Sequence, residues 1–340
     1  MSTNRPIEII GGGLAGLSLG LALQNAGIAA CVIEAGDYPR HRVCGDFMTG
    51  LSDITIQNLG LKPLLVGALL HRQVAWFHRE QLIYQQYLPA PALGLSRYAL
   101  DARLAHAFTT AGGELRRATR ANDSSAFPGR ILAHGRSRTE SPWLGLKLQV
   151  QDLDLAQDLE LHLGDQAYIG LAKVETGAVN VCGLFRRRNL AAPGPALLAA
   201  YLNAVGLSRL AKRLERATYE PASFSAVSAL SYEPLITAPD TIRLGDAAGL
   251  IPPFTGNGMA LAFQSAETAL PHVLAYARGN VAWSITCERT RTALRRRFHR
   301  RLAVARSLHS FLLVPSRQRF ICALARAHLL PYRLLYTLLH

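Results

Sequence analysis

Ile7-Glu8-Ile9-Ile10-Gly11-Gly12-Gly13-Leu14-Ala15-Gly16 is a short β-branched run that breaks into glycine and re-forms as an apolar stretch, Leu17 to Asn25, closed by Gly27. Ala30 to Glu34 then reads as a second strand. The order strand, turn, helix, strand predicts a compact βαβ unit. Gly11, Gly13 and Gly16 fit G-x-G-x-x-G. The first glycine allows the tight turn, the second lets the backbone approach a pyrophosphate, and the third lets helix and strand pack closely. The helix start at Gly13-Leu14-Ala15 offers unpaired N–H groups to phosphates. Glu34, at the end of the second strand, is placed to accept from both hydroxyls of an adenosine ribose, and its charge disfavours a 2′-phosphate there.

The far end of the chain carries a second platform. Thr241 to Leu244 reads as a strand entering Gly245-Asp246, and the loop Pro253-Phe-Thr-Gly256-Asn257-Gly258 opens a long helix that runs to Ala277. A carboxylate at a strand end can bind a polyol hydroxyl. The N–H groups from Gly256 to Met259 can hold partial negative charge, with the helix dipole behind them. An ordinary turn with an Asp cap has the same local pattern. Two such sites at opposite ends of the chain point to one long ligand touched by both.

Between them lie a Pro/Arg/Gly-rich loop with a short helix (37–60), strands over 74–88, and a helix over Leu100 to Thr110 that ends near Gly112-Gly113. Residues 119–142 read as a loop with one strand at Arg130 to Ala133. From Leu144 to Phe185 apolar residues recur at every second position, as in Leu146/Leu148/Val150 and Leu159/Leu161/Leu163. That period predicts an antiparallel sheet. Leu197 to Ala217 reads as one helix.

An apolar content of 49% over 340 residues supports a large core and excludes global disorder. The net charge of +14 is uneven: twelve arginines lie between Arg289 and Arg333, no Asp or Glu follows Glu288, and without those twelve 25 basic residues face 23 acidic ones. In this tail Leu294, Phe298, Leu302, Ala305, Leu308 and Leu312 recur at helical spacing, with Arg295, Arg296, Arg297, Arg300 and Arg301 around the remaining circumference. Packing on the body and peripheral contact with an anionic membrane through residues 289–340 both stay open. Nucleic acid is set aside, because no aromatic-interleaved basic motif accompanies the charge. Five scattered cysteines without a C-x-x-C pair argue against a disulfide scaffold or a zinc site and fit a reducing, cytoplasmic setting. No metal is expected. The polar start, Met1 to Pro6, does not read as a secretory signal, and no apolar run is long enough to span a bilayer.

The glycine turn with Glu34, the loop Pro39-Arg-His-Arg42-Val-Cys44-Gly-Asp46, the segment Ser96-Arg97-Tyr-Ala-Leu-Asp101, and Gly245-Asp246 with Pro253 to Gly258 together resemble the FAD-dependent geranylgeranyl reductase family. That family shares its fold with flavin hydroxylases and halogenases of the p-hydroxybenzoate hydroxylase group. The resemblance covers most of residues 5–275. It implies that Gly11, Gly13, Leu14, Ala15 and Gly16 hold the FAD pyrophosphate and Glu34 the ribose. It puts Arg42 and Arg97 near the cofactor, Asp246 on the ribityl chain, and Pro253, Gly256, Asn257 and Gly258 along the isoalloxazine. Two departures stand out. Ala133-His134-Gly135-Arg136-Ser137 replaces the Asp-Gly motif of the hydroxylases, which counts against standard NAD(P)H-linked hydroxylation, and Trp76, Trp143 and Trp283 form no Trp-x-Trp pair of the tryptophan halogenase kind.

The expected fold is therefore α/β: a Rossmann-like FAD-binding domain (1–75, 92–143, 235–285), an inserted antiparallel β-sheet substrate domain (76–91, 144–234) and a basic helical C-terminal segment (286–340). The expected activity is that of an FAD oxidoreductase on a small apolar organic substrate, with NAD(P)H as donor. Double-bond reduction and monooxygenation compete as its chemistry, and a non-catalytic flavin-binding membrane or partner module is the reading from another class. Cys44 and Asp46 are the catalytic candidates, Cys44 through a thiolate beside the flavin and Asp46 as a proton donor, against the plainer readings of a packing residue and a loop cap.

Overall fold

The computed structural model describes residues 4–121, 127–135, 141–228, 230, 232 and 239–340. The first third holds β1 (Ile7–Ile10), α1 (Leu14–Asn25), β2 (Ala30–Ile33), β3 (Phe47–Met48), α2 (Asp53–Asn58), β4 (Leu69–His78), β5 (Gln81–Gly94) and α3 (Arg97–Thr110). The middle holds β6 (Glu114–Arg116), β7 (Arg130–Leu132), β8 (Trp143–Val150), β9 (Leu159–Gly164), β10 (Ala167–Lys173) and β11 (Val179–Arg186), then α4 (Ala196–Ala204), α5 (Ser208–Glu215) and β12 (Ser225–Val227). The last part holds β13 (Ile242–Arg243), α6 (Gly258–Ala277), α7 (Trp283–Leu313), α8 (Pro315–Arg326) and α9 (Tyr332–Leu339).

Five parallel strands make the first sheet, in the order β13-β7-β1-β2-β6. Central β1 has Ile9 opposite Val32 on one side and Ile131 on the other. A strand flanked and covered in this way needs apolar side chains on both faces, and Ile7, Ile9 and Ile10 are all buried. Helix α1 is buried from Leu14 to Leu23. It stops where Gly27 takes φ 76°, which lets the Ile28 N–H reach back to the Leu23 carbonyl at 2.9 Å.

The second sheet has eight strands, β12-β8-β11-β10-β9-β4-β5-β3, antiparallel except where β4 runs parallel to β9. Period two then sorts its faces. Ile169 and Leu171 pack with Leu198, Leu202 and Leu210 of α4 and α5. Tyr168 turns the other way, with Leu163 and Leu184, toward Leu312, Leu313 and Ile321 of α7 and α8. The expected architecture, a Rossmann-like sheet, an antiparallel sheet and a helical C-terminal segment, is the one observed.

Two details differ from the sequence reading, and a third fills in where the tail packs. β4 and β5 belong wholly to the second sheet, so the expected boundaries at 75/76 and 91/92 fall inside strands. The single helix over 197–217 is two, broken at Gly206, whose φ of 82° lets the Leu207 N–H close on the Leu202 carbonyl at 2.9 Å. The tail is a wall of the body: Phe298, Ala305 and Leu312 are buried, the first two against Ile251 and Leu261 and the third against the second sheet. Among the described residues no helix is long and apolar enough to cross a membrane.

Candidate functional site

The parallel strands of the first sheet deliver their carboxyl ends to one edge. Gly11 follows β1, Glu34 follows β2, Ala133-His134-Gly135 follow β7, and Leu244-Gly245-Asp246 follow β13. Ligands of open α/β sheets bind outside the carboxyl ends of the strands. Here Gly13, Leu14, Ala15, Glu34, His134 and Asp246 all line one cavity of about 480 Å³. Arg136 and Ser137, the end of the segment that replaces the Asp-Gly motif, lie outside the described residues.

The three motif glycines do different work. Gly11 has φ 110°, and a Cβ there would sit 2.4 Å from the Ala133 carbonyl carbon. A Cβ on Gly16 would lie 2.0 Å from the Gly11 oxygen. Both therefore hold the turn against its neighbours. A Cβ on Gly13 would meet nothing nearer than the Arg97 guanidinium at 3.8 Å. Gly13 instead keeps space open over the start of α1, where no side chain caps the helix N–H groups.

Glu34 is buried at the rim of that space. Its carboxylate accepts from the N–H of Gly12 and of Gly36, both at 2.8 Å, and pairs with Arg40 at 2.6 Å. Tyr38 closes the turn from outside, its hydroxyl donating to the Gly12 carbonyl. Burial pushes the Glu34 pKa up, but Arg42, the Gly36 N–H, Arg40 and the Gly12 N–H outweigh it, and the group titrates below the usual carboxylate range. Arg97 clamps Asp101 through two hydrogen bonds of 2.7 and 2.8 Å. Arg42 lies 3.0 Å from Asp101 and 3.6 Å from Glu34, yet its buried Nε and Nη2 have no hydrogen-bond acceptor in line. A diphosphate across the glycine turn would supply such acceptors, so the residues present fit a dinucleotide.

The second half of the cavity is bounded by the loop before α6. Gly256 has φ 68°, and a Cβ on it would press on Phe47 at 2.9 Å. Its carbonyl accepts from the Thr49 N–H at 2.9 Å. Pro253, Gly256 and Gly258 line the cavity. Asn257 does not; it is buried, accepting from the Thr255 hydroxyl at 2.7 Å and donating to the Leu339 carbonyl. Because Asn257 is spent on the tail, α6 begins without a side-chain cap, and its first residues, Gly258 and Met259, face the cavity.

Cys44 lines the same space, and burial, then the charge of Asp46, pushes its thiol pKa up. The protonated thiol is thus the favoured form, which counts against the thiolate expected from the sequence. Asp46 lies behind it, fully buried and outside the cavity lining. It accepts from Lys147 Nζ at 2.6 Å, from the Arg97 N–H at 3.1 Å and from Gln149 at 3.3 Å. Burial pushes the Asp46 pKa up against the pull of Lys147 and the Arg97 N–H, and the group so held ties the Arg42–Asp46 loop to β8. Lys147 is as buried as Asp46 and was not among the sequence candidates. Its signal was its place in β8, on the opposite face from Leu146 and Leu148.

Beyond the loop the cavity opens into an apolar chamber. Its lining from the second sheet mixes small residues, Gly145, Gly170, Ala172 and Gly183, with large ones such as Trp76, Leu161 and Tyr168. A Cβ on Gly170 would touch nothing closer than a carbonyl at 4.0 Å. Leu308 and Leu312 of α7, Ile321 of α8 and the inner face of α9 close the other side. Tyr168 on β10 shares a 3.3 Å hydrogen bond with His309 on α7, and Phe254 stacks near both. Burial drops the His309 pKa to about 4 and raises that of Tyr168 well above 10. At neutral pH the pair is an uncharged imidazole and a protonated phenol. None of Tyr168, His309 and the tail walls was predicted for the site. Among the described residues no cluster of His, Cys, Asp and Glu is placed to hold a metal ion.

No protein-family model matches the sequence, and no curated protein matches it. Solved structures do. A geranylgeranyl bacteriochlorophyll reductase-like protein from Thermoplasma acidophilum superposes with a TM-score of 0.72 at 17% identity, covering 95% of this chain and 91% of its own. The flavin-dependent brominase Bmp2 gives 0.75 at 16% identity, covering 99% and 93%. HpxO of Klebsiella pneumoniae, solved with FAD and uric acid, gives 0.70 at 16% identity, covering 98% and 96%. The chain has the fold of these proteins, a parallel sheet joined to a curled antiparallel one.

Proposed function

We propose that the chain is an FAD-dependent oxidoreductase that reduces a carbon–carbon double bond of a small apolar organic substrate, with NAD(P)H as electron source. One observation carries the reading. A single cavity runs from the glycine turn, past the Pro253–Gly258 loop, into an apolar chamber with protonated groups on its wall. Gly13, Arg42 and the start of α1 would hold the diphosphate, Glu34 the ribose, and Asp246 a ribityl hydroxyl. Bound FAD supplies two-electron redox chemistry.

The chain's own share is orientation, dryness and a proton. The N–H groups at Gly258 and Met259, fixed by the fold, stabilise negative charge that develops against them. The chamber walls exclude water. Reducing an alkene takes a hydride equivalent at one carbon and a proton at the other. The Tyr168 hydroxyl and the Cys44 thiol, which line the cavity, would give that proton. Oxygen insertion is the second reading, favoured by the same apolar chamber.

The test begins with the spectrum of the purified protein. A flavin band that bleaches anaerobically with NADH or NADPH supports the reading. A folded preparation that binds no added FAD sinks it. Turnover of a polyprenyl probe then separates the chemistries: a product gaining two hydrogens without oxygen is reduction, and one gaining an oxygen atom with oxygen uptake is the second reading.

A further inference from the structure

The tail solves one burial problem and leaves another. On α9, Tyr332, Leu335, Tyr336 and Leu339 recur at i, i+3, i+4 and i+7 and line the cavity. The outward face carries Leu334 and Leu338, one turn apart and 59% and 46% exposed. A surface helix that is apolar on both faces lacks a partner for one of them. The pattern extends along the preceding helix and turn. Val314, Phe320 and Leu329 are exposed as well, so five of the fourteen large apolar side chains exposed among the described residues fall between 314 and 338. Arg317, Arg319, Arg326 and Arg333, all exposed, stand between them. No Asp or Glu follows Glu288 in the sequence, so the segment itself supplies no acidic side chain.

We propose that the outer face of α8 and α9, with the turn between them, docks on an anionic lipid surface. Exposed leucines and a phenylalanine enter the acyl boundary while the arginines meet phosphate headgroups, the arrangement of an interfacial helix. Each arginine near such a surface adds to the attraction, and salt screens it. A second copy of the chain is a poorer occupant, since a two-fold interface would set this basic patch against itself. Duplex nucleic acid would answer the arginines and leave the leucines in water. The inference goes beyond the proposed reaction and does not depend on it, because the face needs no flavin. Its bearing on the chamber is direct: the cavity lies one helix away from the lipid.

Flotation of the full-length protein with vesicles of phosphatidylcholine, alone or mixed with phosphatidylglycerol, tests the docking. Binding is expected to the mixed vesicles and to weaken with salt. The double variant Leu334→Asp/Leu338→Asp should lose at least about tenfold in bound fraction, with flavin content unchanged. Arg317→Ser/Arg319→Ser/Arg333→Ser should lose the preference for phosphatidylglycerol. If the double variant does not fold, Leu334→Trp with brominated lipids gives the same answer, since quenching requires insertion. The proposal fails if wild-type protein stays unbound at low salt, or if the Asp variant binds equally. It also fails if the Trp probe is not quenched, or if the Asp substitutions dissociate a dimer of a protein that ignores vesicles.

Discussion

Gly13 and Gly16 are three residues apart, and a methyl group would meet different things at each. At Gly16 it would strike the Gly11 carbonyl at 2.0 Å; at Gly13 it would enter open cavity. Gly16→Ala should therefore cost the fold about 2–3 kcal/mol, a fall of roughly 3–4 °C in thermal midpoint. Gly13→Ala should leave circular dichroism intact and lower the flavin-to-protein absorbance ratio. If both variants lose flavin and fold together, the division of labour between the glycines is wrong. The buried Asp46–Lys147 pair gives a second test. Lys147→Met should destabilise by about 3–5 kcal/mol, because it strands a carboxylate in the core, and adding Asp46→Leu should restore much of that. Urea unfolding of the three proteins reads it. The glycines were legible because their constraint is local and their spacing is fixed. Lys147 was not, because its partner lies 101 positions away and only the tertiary fold brings the two together.

Elements meet at the Tyr168–His309 contact, where β10 touches α7. Helical spacing identified the α7 stripe at Phe298, Ala305 and Leu312, but nothing in the sequence indicates which sheet face receives it. His309 sits where that contact is made. Its folded pKa of about 4 lies below the ordinary 6.5, so the fold favours the neutral ring. The resulting stability is fully present above pH 6.5 and drains away as pH falls toward 4. Between pH 7 and 5 the loss should be about 2 kcal/mol. His309→Gln should flatten that part of the stability profile, as measured by urea unfolding at each pH. An unchanged slope would mean that His309 is protonated and solvated in the folded chain. The break between α4 and α5 is a milder case. The Val205-Gly206-Leu207 step was visible in the sequence, but a helix interior tolerates glycine often enough that only the positive φ decides.

At the scale of the molecule, the C-terminal segment is the part that composition described and topology explained. The charge count separated a near-neutral body from an arginine-rich tail. It could not show that the tail supplies Leu308, Leu312, Ile321 and Tyr336 to the cavity, or that Arg301 donates to the His340 carbonyl and pairs with Gln264 at 2.7 Å. Removing residues 289–340 should yield aggregated protein in a solubility assay, since it bares Ile251, Leu261 and Leu184 together. A soluble, flavin-loaded truncation would show the tail to be an appendage.

The position of α9 also sets an order of events during synthesis. Gly13, Glu34, Arg97, Asp246 and Gly258 leave the ribosome before it, so the nucleotide half can be complete while the chamber still lacks its last wall. A cofactor of dinucleotide size has an open side to enter by during that interval. Tyr332, Leu335, Tyr336 and Leu339 then complete the cavity lining. The glycine turn and the loop before α6 thus precede the α9 wall in the order of the chain itself.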